Sequence, residues 1–138
     1  MTETAGKKRD PIGKASGNLE RALETISKRL LDQIRSSAPD SKVLLMSPIA
    51  LGEGVGEEGY DPEFDERSVA VSKRLPEVYR RIAHGRGISF LAASAYAKPS
   101  EEDREHMNEE GHAALAEAVY AKLKEMLAGE KENEQIPA

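Results

Sequence analysis

The segment Lys42-Val43-Leu44-Leu45-Met46-Ser47-Pro48 is a short, continuous apolar run bounded by turn-forming residues. Such a run predicts a strand that is buried on both faces, as in a parallel sheet. A second run, Ile88-Ser89-Phe90-Leu91-Ala92, has the same character. The intervening stretch, 49–87, is long enough for the helical crossover that parallel pairing requires. We therefore predict parallel strands near 42–47 and 88–92 in an α/β fold.

Three amphipathic segments outside these runs predict helices near 17–37, 65–84 and 109–127. In each of them, apolar residues recur at spacings of three and four, which places them on one helix face. The first helix should stop before Pro39, and Pro76 is expected to kink or restart the second. Gly85 or Gly87 is expected to end the second helix. This alternation of helices and strands is typical of an α/β sandwich.

Three further segments are predicted to lie outside regular structure. The stretch 49–64 holds five Gly or Pro residues and many acids, so we expect a mobile surface loop and a candidate lid on the substrate side. Residues 1–15 are predicted to be a flexible N-terminal arm and 129–138 a disordered tail. The domain itself is predicted to span 16–128.

Two parallel strands pose a physical difficulty for this domain. Both sheet edges stay open, and parallel sheets are stable when several strands are buried between helix layers. The chain therefore resembles part of a larger sheet. Strands supplied by another chain, by self-association or by the N-terminal arm would complete it; otherwise the polypeptide is only marginally folded.

The composition excludes several classes of function. The 138 residues carry 25 acidic and 20 basic side chains, a net charge of -5, which argues against nucleic acid as the partner. No Cys is present, so the chain has no disulfide framework, thiol nucleophile or Cys-based zinc site. No apolar run reaches the roughly 18 residues of a membrane span, and the default location is cytoplasmic.

The chemistry is expected in the loop after the second strand, because ligands of open α/β sheets bind beyond the carboxyl ends of the strands. That loop holds Asp103-Arg104-Glu105-His106. Asp103 can accept a hydrogen bond from one imidazole nitrogen of His106 and leave the other free as a base. A metal site built from His106, Glu110 and His112 is excluded by spacing, because the three do not share one helix face.

The stretch 103–112, Asp-Arg-Glu-His-Met-Asn-Glu-Glu-Gly-His, running into Ala114-Leu115-Ala116, resembles the last conserved block of the SGNH/GDSL hydrolase family. In that family an Asp-x-x-His pair precedes a Gly-His and the C-terminal helix. The order of the upstream elements, including a helix that contains Tyr79, also follows the family. The resemblance covers roughly Ser16 to Leu127 and corresponds to the C-terminal half of a typical member.

This resemblance implies a flavodoxin-like, three-layer fold that is truncated at its N-terminus. It also implies that His106 is the general base and then acid, that Asp103 orients it, and that His112 is structural. The substrate would be a small-molecule acyl or acetyl ester, hydrolysed by serine attack without a cofactor or metal.

The sequence departs from the family at the nucleophile and at the oxyanion donors. No Gly-Asp-Ser occurs, and a Gly-x-Ser-x-Gly elbow is also absent. Where a Gly-x-Asn-Asp block would fall, Gly6 to Asp10 has Arg9 in place of the Asn. Ser47 and Ser94 stand at strand ends without a sharp glycine turn, so neither is chosen as a nucleophile. The alternative function is a non-catalytic remnant or interaction module of the same fold.

Overall fold

The computed structural model describes the backbone of residues 11–135 and the side chains of 17–128. This part of the chain forms three α-helices and two β-strands. Their order is α1 (Pro11–Ser37), β1 (Leu44–Ser47), α2 (Glu66–Arg86), β2 (Ser89–Ala92) and α3 (Glu109–Gln135). A short 3-10 turn, Ala93–Ala95, follows β2. The predicted α/β fold class is confirmed.

The two strands pair in parallel, as predicted, with Leu44 opposite Ser89 and Ser47 opposite Ala92. The prediction that the first strand is buried on both faces is wrong, because the side chain of Met46 is 41% exposed. Within residues 11–135 no third strand joins the sheet, so each strand keeps one unpaired edge. Helices cover the faces of a parallel sheet, and here α2 contacts both strands whereas α3 packs chiefly on β2, so β1 is left partly uncovered.

The core lies between β2 and α3. Leu91 in β2, Ala93 and Ala97 just after it, and Leu115 in α3 are buried together. Helix α2 packs on both strands and on α1. The two helices are further joined by ion pairs, Arg86 with Asp32 at 2.5 Å and Arg81 with Glu20.

Two helices are longer than the sequence predicts. Helix α1 begins at Pro11, so residues 11–15 of the predicted flexible arm are helical. Proline suits the first turn of a helix because its fixed φ is already helical and its missing N–H needs no partner. Helix α3 continues to Gln135 through the predicted tail, whose Glu, Lys and Gln residues favour helix. The rest of the arm, 1–10, and of the tail, 136–138, lies outside the described residues.

Helix α2 has strong signals at both ends. The Asp65 side chain accepts hydrogen bonds from the N–H groups of Arg67 and Ser68, and the Ser68 hydroxyl accepts one from the N–H of Asp65. Gly87 ends the helix in the left-handed conformation, at φ 66°. The sequence predicts a kink or restart at Pro76, and one helix runs through this residue, so the helix does not restart there. Its packing on both strands and on α1 offsets the backbone hydrogen bond that proline removes.

The segment 49–64 is folded into hydrogen-bonded turns, although the sequence predicts a mobile loop. The N–H of Val55 donates to the Gly52 carbonyl at 3.1 Å, and the N–H of Asp61 donates to the Val55 carbonyl at 2.9 Å. The Val55 side chain is fully buried. The N–H of Leu51 also donates to the Ser72 hydroxyl of α2, at 3.0 Å. The buried side chain of Val55 and these hydrogen bonds therefore hold the segment in a defined conformation, although its many glycines favour mobility.

Candidate active site

The turn that carries Asp103 and His106 closes on itself just before α3. The N–H of Ser100 donates to the His106 carbonyl at 2.7 Å, and the N–H of Arg104 donates to the Ser100 carbonyl at 2.9 Å. An isolated antiparallel bridge joins Pro99 to Met107. Because Met107 packs against the buried core cluster, the turn is fixed to the end of the sheet. We call residues 100–106 the dyad turn.

Asp103 is held as an ionised carboxylate by donors on both of its oxygens. Its Oδ1 accepts the backbone N–H groups of Glu105 at 2.8 Å and of His106 at 2.9 Å. Its Oδ2 lies 2.6 Å from Nδ1 of His106. These backbone N–H groups, and then the imidazole, hold the pKa of the Asp103 carboxyl far below its usual range.

His106 is oriented by this carboxylate and is open to solvent on its other side. An ionised Asp103 has no proton to give, so Nδ1 of His106 carries the hydrogen and Nε2 is left free to take up a proton. The imidazole is 81% exposed. The hydrogen bond to Asp103 and the negative charge of that carboxylate raise the pKa of His106 above its ordinary value. The two predicted site residues are therefore brought together, in a geometry suited to general-base catalysis.

The His106 imidazole is expected to titrate above the value of about 6.5 typical of histidine. Asp103→Asn should move the midpoint down, because it removes the negative acceptor that favours the imidazolium. NMR titration of the imidazole protons tests this, with His84, in the last turn of α2, as the internal control. An unchanged midpoint in Asp103→Asn would contradict the assigned pairing.

The signs of the two pKa shifts also set a pH window for stability. The raised pKa of His106 stabilises the fold below its unfolded pKa, and this contribution is lost as the pH rises through its folded pKa. The lowered pKa of Asp103 stabilises the fold above its unfolded pKa, and this contribution is lost as the pH falls. Both contributions are therefore present together between about pH 4 and 6.5.

The other candidate residues named from the sequence belong to elements outside the dyad turn. Ser47 is completely buried at the end of β1, which denies it access to a substrate. No group in the described part of the chain hydrogen-bonds its hydroxyl. Ser94 is part of the 3-10 turn, and His112 is exposed in the first turn of α3. The structural role of His112 stays a prediction.

Among the described residues, no group of three or more His, Asp or Glu side chains could hold a metal ion.

Arg104 is a functional candidate that the sequence reasoning missed. It lies between Asp103 and His106 and has a φ of 62°, a left-handed conformation that side chains other than glycine rarely adopt. Its guanidinium lies 3.8 Å from the centre of the Tyr60 ring. No sequence signal marks an arginine for this conformation, and its partners lie more than 40 positions earlier in the chain.

An apolar groove of about 570 Å³ opens beside the carboxyl end of β1. Its walls come from the segment that follows β1 and from the first half of α2. The apolar lining residues are Pro48, Ile49, Leu51, Phe64, Val71 and Leu75. The groove offers space for an apolar group on the side of the sheet where ligands of α/β proteins bind.

Several solved structures are similar to this chain in fold. One crystal structure is 33% identical, with a TM-score of 0.70, and the match covers 81% of this chain and 51% of the other. A carbohydrate acetylesterase from Sinorhizobium meliloti is 25% identical, with a TM-score of 0.53, over 62% of this chain and 39% of its own. A protein from Agrobacterium tumefaciens that is assigned as an arylesterase is 23% identical, with a TM-score of 0.57, over 77% of this chain and 50% of its own. The last two of these structures are thus described as esterases.

These likenesses support a general resemblance to ester hydrolases. The matches cover between 39% and 51% of the length of these solved structures. No protein-family model matches the sequence, and no curated protein does. Across residues 11–135, no helix has both the length and the apolar character needed to cross a membrane.

Proposed function

We propose that this chain supplies the base-carrying half of an SGNH-type serine ester hydrolase. The observation that carries the proposal is the 2.6 Å contact between Nδ1 of His106 and Oδ2 of Asp103, in a turn at the carboxyl edge of a parallel sheet. Resemblance in fold to described esterases supports the same conclusion. The substrate class is an acyl or acetyl ester of a small molecule.

In the proposed reaction, Nε2 of His106 takes the proton of a serine hydroxyl as the serine oxygen attacks the ester carbonyl. The tetrahedral intermediate then collapses, the acyl–oxygen bond to the alcohol breaks, and His106 returns the proton to the departing alkoxide. Water, deprotonated by the same nitrogen, then attacks the acyl-serine carbonyl, and the proton passes to the serine oxygen as the acyl–serine bond breaks and the acid leaves. Asp103 stabilises the imidazolium at each transfer. The apolar groove beside β1 is the proposed site for the apolar part of the ester.

The serine is proposed to come from polypeptide outside this sequence, which has no Gly-Asp-Ser. The open edge of β1 is where a further parallel strand would pair, and Met46 is exposed in that strand. Large apolar side chains are also exposed on the helices, at Ile26, Leu30, Tyr120, Leu123 and Leu127. A surface with this much exposed apolar area fits a chain that packs against more of the same fold.

The same open edge favours a second candidate function, a non-catalytic module that binds a partner strand or a second copy of itself. Light scattering on the purified chain addresses this candidate. A chain that associates at micromolar concentration would favour it, whereas a cooperatively folded monomer would count against it.

The catalytic proposal is tested by a hybrid enzyme that joins the whole of this chain to the part of the Sinorhizobium meliloti carbohydrate acetylesterase that the structural match leaves uncovered. We expect the hybrid to hydrolyse 4-nitrophenyl acetate, while each half alone stays at the background rate of free imidazole. Replacing the serine that we propose as the nucleophile of the added part by alanine is the matched control. If the hybrid is folded, as shown by a cooperative unfolding transition, but does not hydrolyse acetyl or butyryl esters, the catalytic proposal is wrong. The non-catalytic interaction module would then be the favoured function.

A further inference from the structure

One side chain, Arg104, connects the dyad turn to the glycine-rich segment after β1. Its Nη1 donates to the carbonyl of Gly54 at 2.9 Å and pairs with the carboxylate of Glu57 at 3.1 Å. The guanidinium also lies over the Tyr60 ring. Only 23% of the side chain is exposed. We call residues 52–60 the clamped segment.

The backbone of Arg104 joins the same two regions. Its carbonyl accepts the N–H of Gly52 at 2.8 Å. Position 54 requires glycine because φ there is 78°, and a Cβ would also stand 2.3 Å from Nη1 of Arg104 and displace the guanidinium from its present position. Contacts from both the side chain and the main chain therefore offset the unfavourable left-handed conformation of Arg104.

That conformation belongs to the geometry of the catalytic pair. Arg104 lies in the middle of the turn in which the N–H groups of Glu105 and His106 both point at Oδ1 of Asp103. If Arg104 returned to an ordinary φ, these two N–H groups would point elsewhere. The carboxylate that orients His106 would then lose two of its donors.

Carboxylates on both sides repel each other where Arg104 holds the clamped segment against the dyad turn. Glu105, the next residue in the dyad turn, faces Asp61 just beyond the clamped segment. Burial, and then the Asp61 carboxylate, raise the pKa of Glu105. Glu57 adds another carboxylate close by. A cation at position 104 offsets this repulsion, which a neutral side chain would leave in place.

We propose that Arg104 is a positioning residue, which holds the clamped segment against the dyad turn and so fixes one wall of the substrate cleft, a cavity of about 430 Å³ that Arg104 lines together with 53–57 and the start of α2. The two regions follow the carboxyl ends of β1 and β2, the edge at which α/β proteins bind ligands. The inference deepens the proposed ester-hydrolase function and rests on it. The spacing of the two regions would decide which acyl and alcohol groups reach His106.

The test separates the side chain of Arg104 from its backbone conformation. Arg104→Gly removes the clamp but tolerates a positive φ, whereas Arg104→Ala removes the clamp and also disfavours that φ. Arg104→Lys keeps the charge but not the planar fork of donors. Arg80→Ala, an exposed arginine of α2 that pairs with Glu77, is the matched control. Hydrogen exchange by NMR and the His106 titration are measured on the whole chain for each variant.

In Arg104→Gly, we expect the hydrogen-bonded amides of Val55, Glu57 and Asp61 to exchange at least about tenfold faster, because local opening becomes easier. The sheet amides and the His106 midpoint should stay as in the parent. In Arg104→Ala, both the loop amides and the His106 midpoint should change, with the midpoint falling. Arg104→Lys should recover part of the protection, and Arg80→Ala should change neither readout.

Unchanged loop exchange in Arg104→Gly would overturn the proposal. None of these readouts depends on ester hydrolysis, so the clamp and the enzyme activity can fail separately. In an active hybrid enzyme, Arg104→Gly should raise KM more than it lowers kcat, because the clamp shapes the cleft and takes no part in proton transfer. An equal KM in the parent and in the variant would refute the assigned role in shaping the cleft.

Discussion

Replacing His106 by alanine in the hybrid enzyme is expected to lower the turnover of 4-nitrophenyl acetate by about a hundredfold to ten-thousandfold, the range that a positioned general base contributes. The reason is geometric. The imidazole is held by Asp103 at 2.6 Å through one nitrogen, and the side chain is 81% exposed, so its other nitrogen is open to a reacting group. A thousandfold loss corresponds to about 4 kcal/mol of activation free energy. This loss far exceeds the effect of about 0.5 kcal/mol that an exposed substitution has on stability.

The matched control for this experiment is His112→Ala, because His112 is also exposed and lies only six positions along the chain. Its turnover should stay close to that of the parent hybrid. Far-ultraviolet circular dichroism should show the same helix content in both variants. Equal losses in the two variants would mean that the effect comes from folding, and His106 would lose its catalytic assignment.

The pH dependence adds an independent check on the same residue. A histidine acts as a base only when it is neutral, and the pKa of His106 is raised by the Asp103 carboxylate. The activity of the hybrid should therefore fall on the acid side, with a midpoint above the ordinary value of about 6.5. A profile that is flat between about pH 5 and 8 would show that another group takes the proton.

Local patterns in the sequence were sufficient for the elements whose structure depends on near neighbours. The apolar runs at 42–47 and 88–92 became the two parallel strands, and Gly87 became the left-handed end of α2. The pairing of Asp103 with His106 was also predictable, because a carboxylate three positions before an imidazole in a tight turn can reach it. In each case the partners are close in sequence or follow a strict periodicity.

What could not be predicted depends on contacts between distant positions. Val55 anchors a segment whose composition favours mobility, and no local pattern shows that its side chain is fully buried. Arg104 owes its left-handed backbone to Gly54, Glu57 and Tyr60. The exposure of Met46 also has a non-local origin, since it depends on which helices cover β1 and not on the sequence of the strand itself.

Gly56→Ala is expected to be the most destabilising single methyl addition at a described glycine. A Cβ at this position would lie 1.9 Å from the carbonyl oxygen of Phe64 and 3.3 Å from Cα of Asp65. Both are backbone atoms, so no side chain can rotate away, and the clash falls on Phe64, the residue just before the Asp65 that caps α2. Overpacking of this kind typically costs 1–3 kcal/mol, and we expect about 3 kcal/mol here because no relaxation avoids the main chain.

Gly85→Ala is the matched control, since Gly85 lies inside α2 and a Cβ there would meet nothing within 4 Å. Alanine is the better helix former, so this variant should gain about 0.5–1 kcal/mol. Urea denaturation followed by circular dichroism at 222 nm would show opposite shifts of the midpoint for the two variants. The comparison isolates the close approach at Phe64, because both variants add the same methyl group. A Gly56→Ala protein as stable as the parent would show that 49–64 is not packed against the start of α2, and the clamped segment would then lose its anchor.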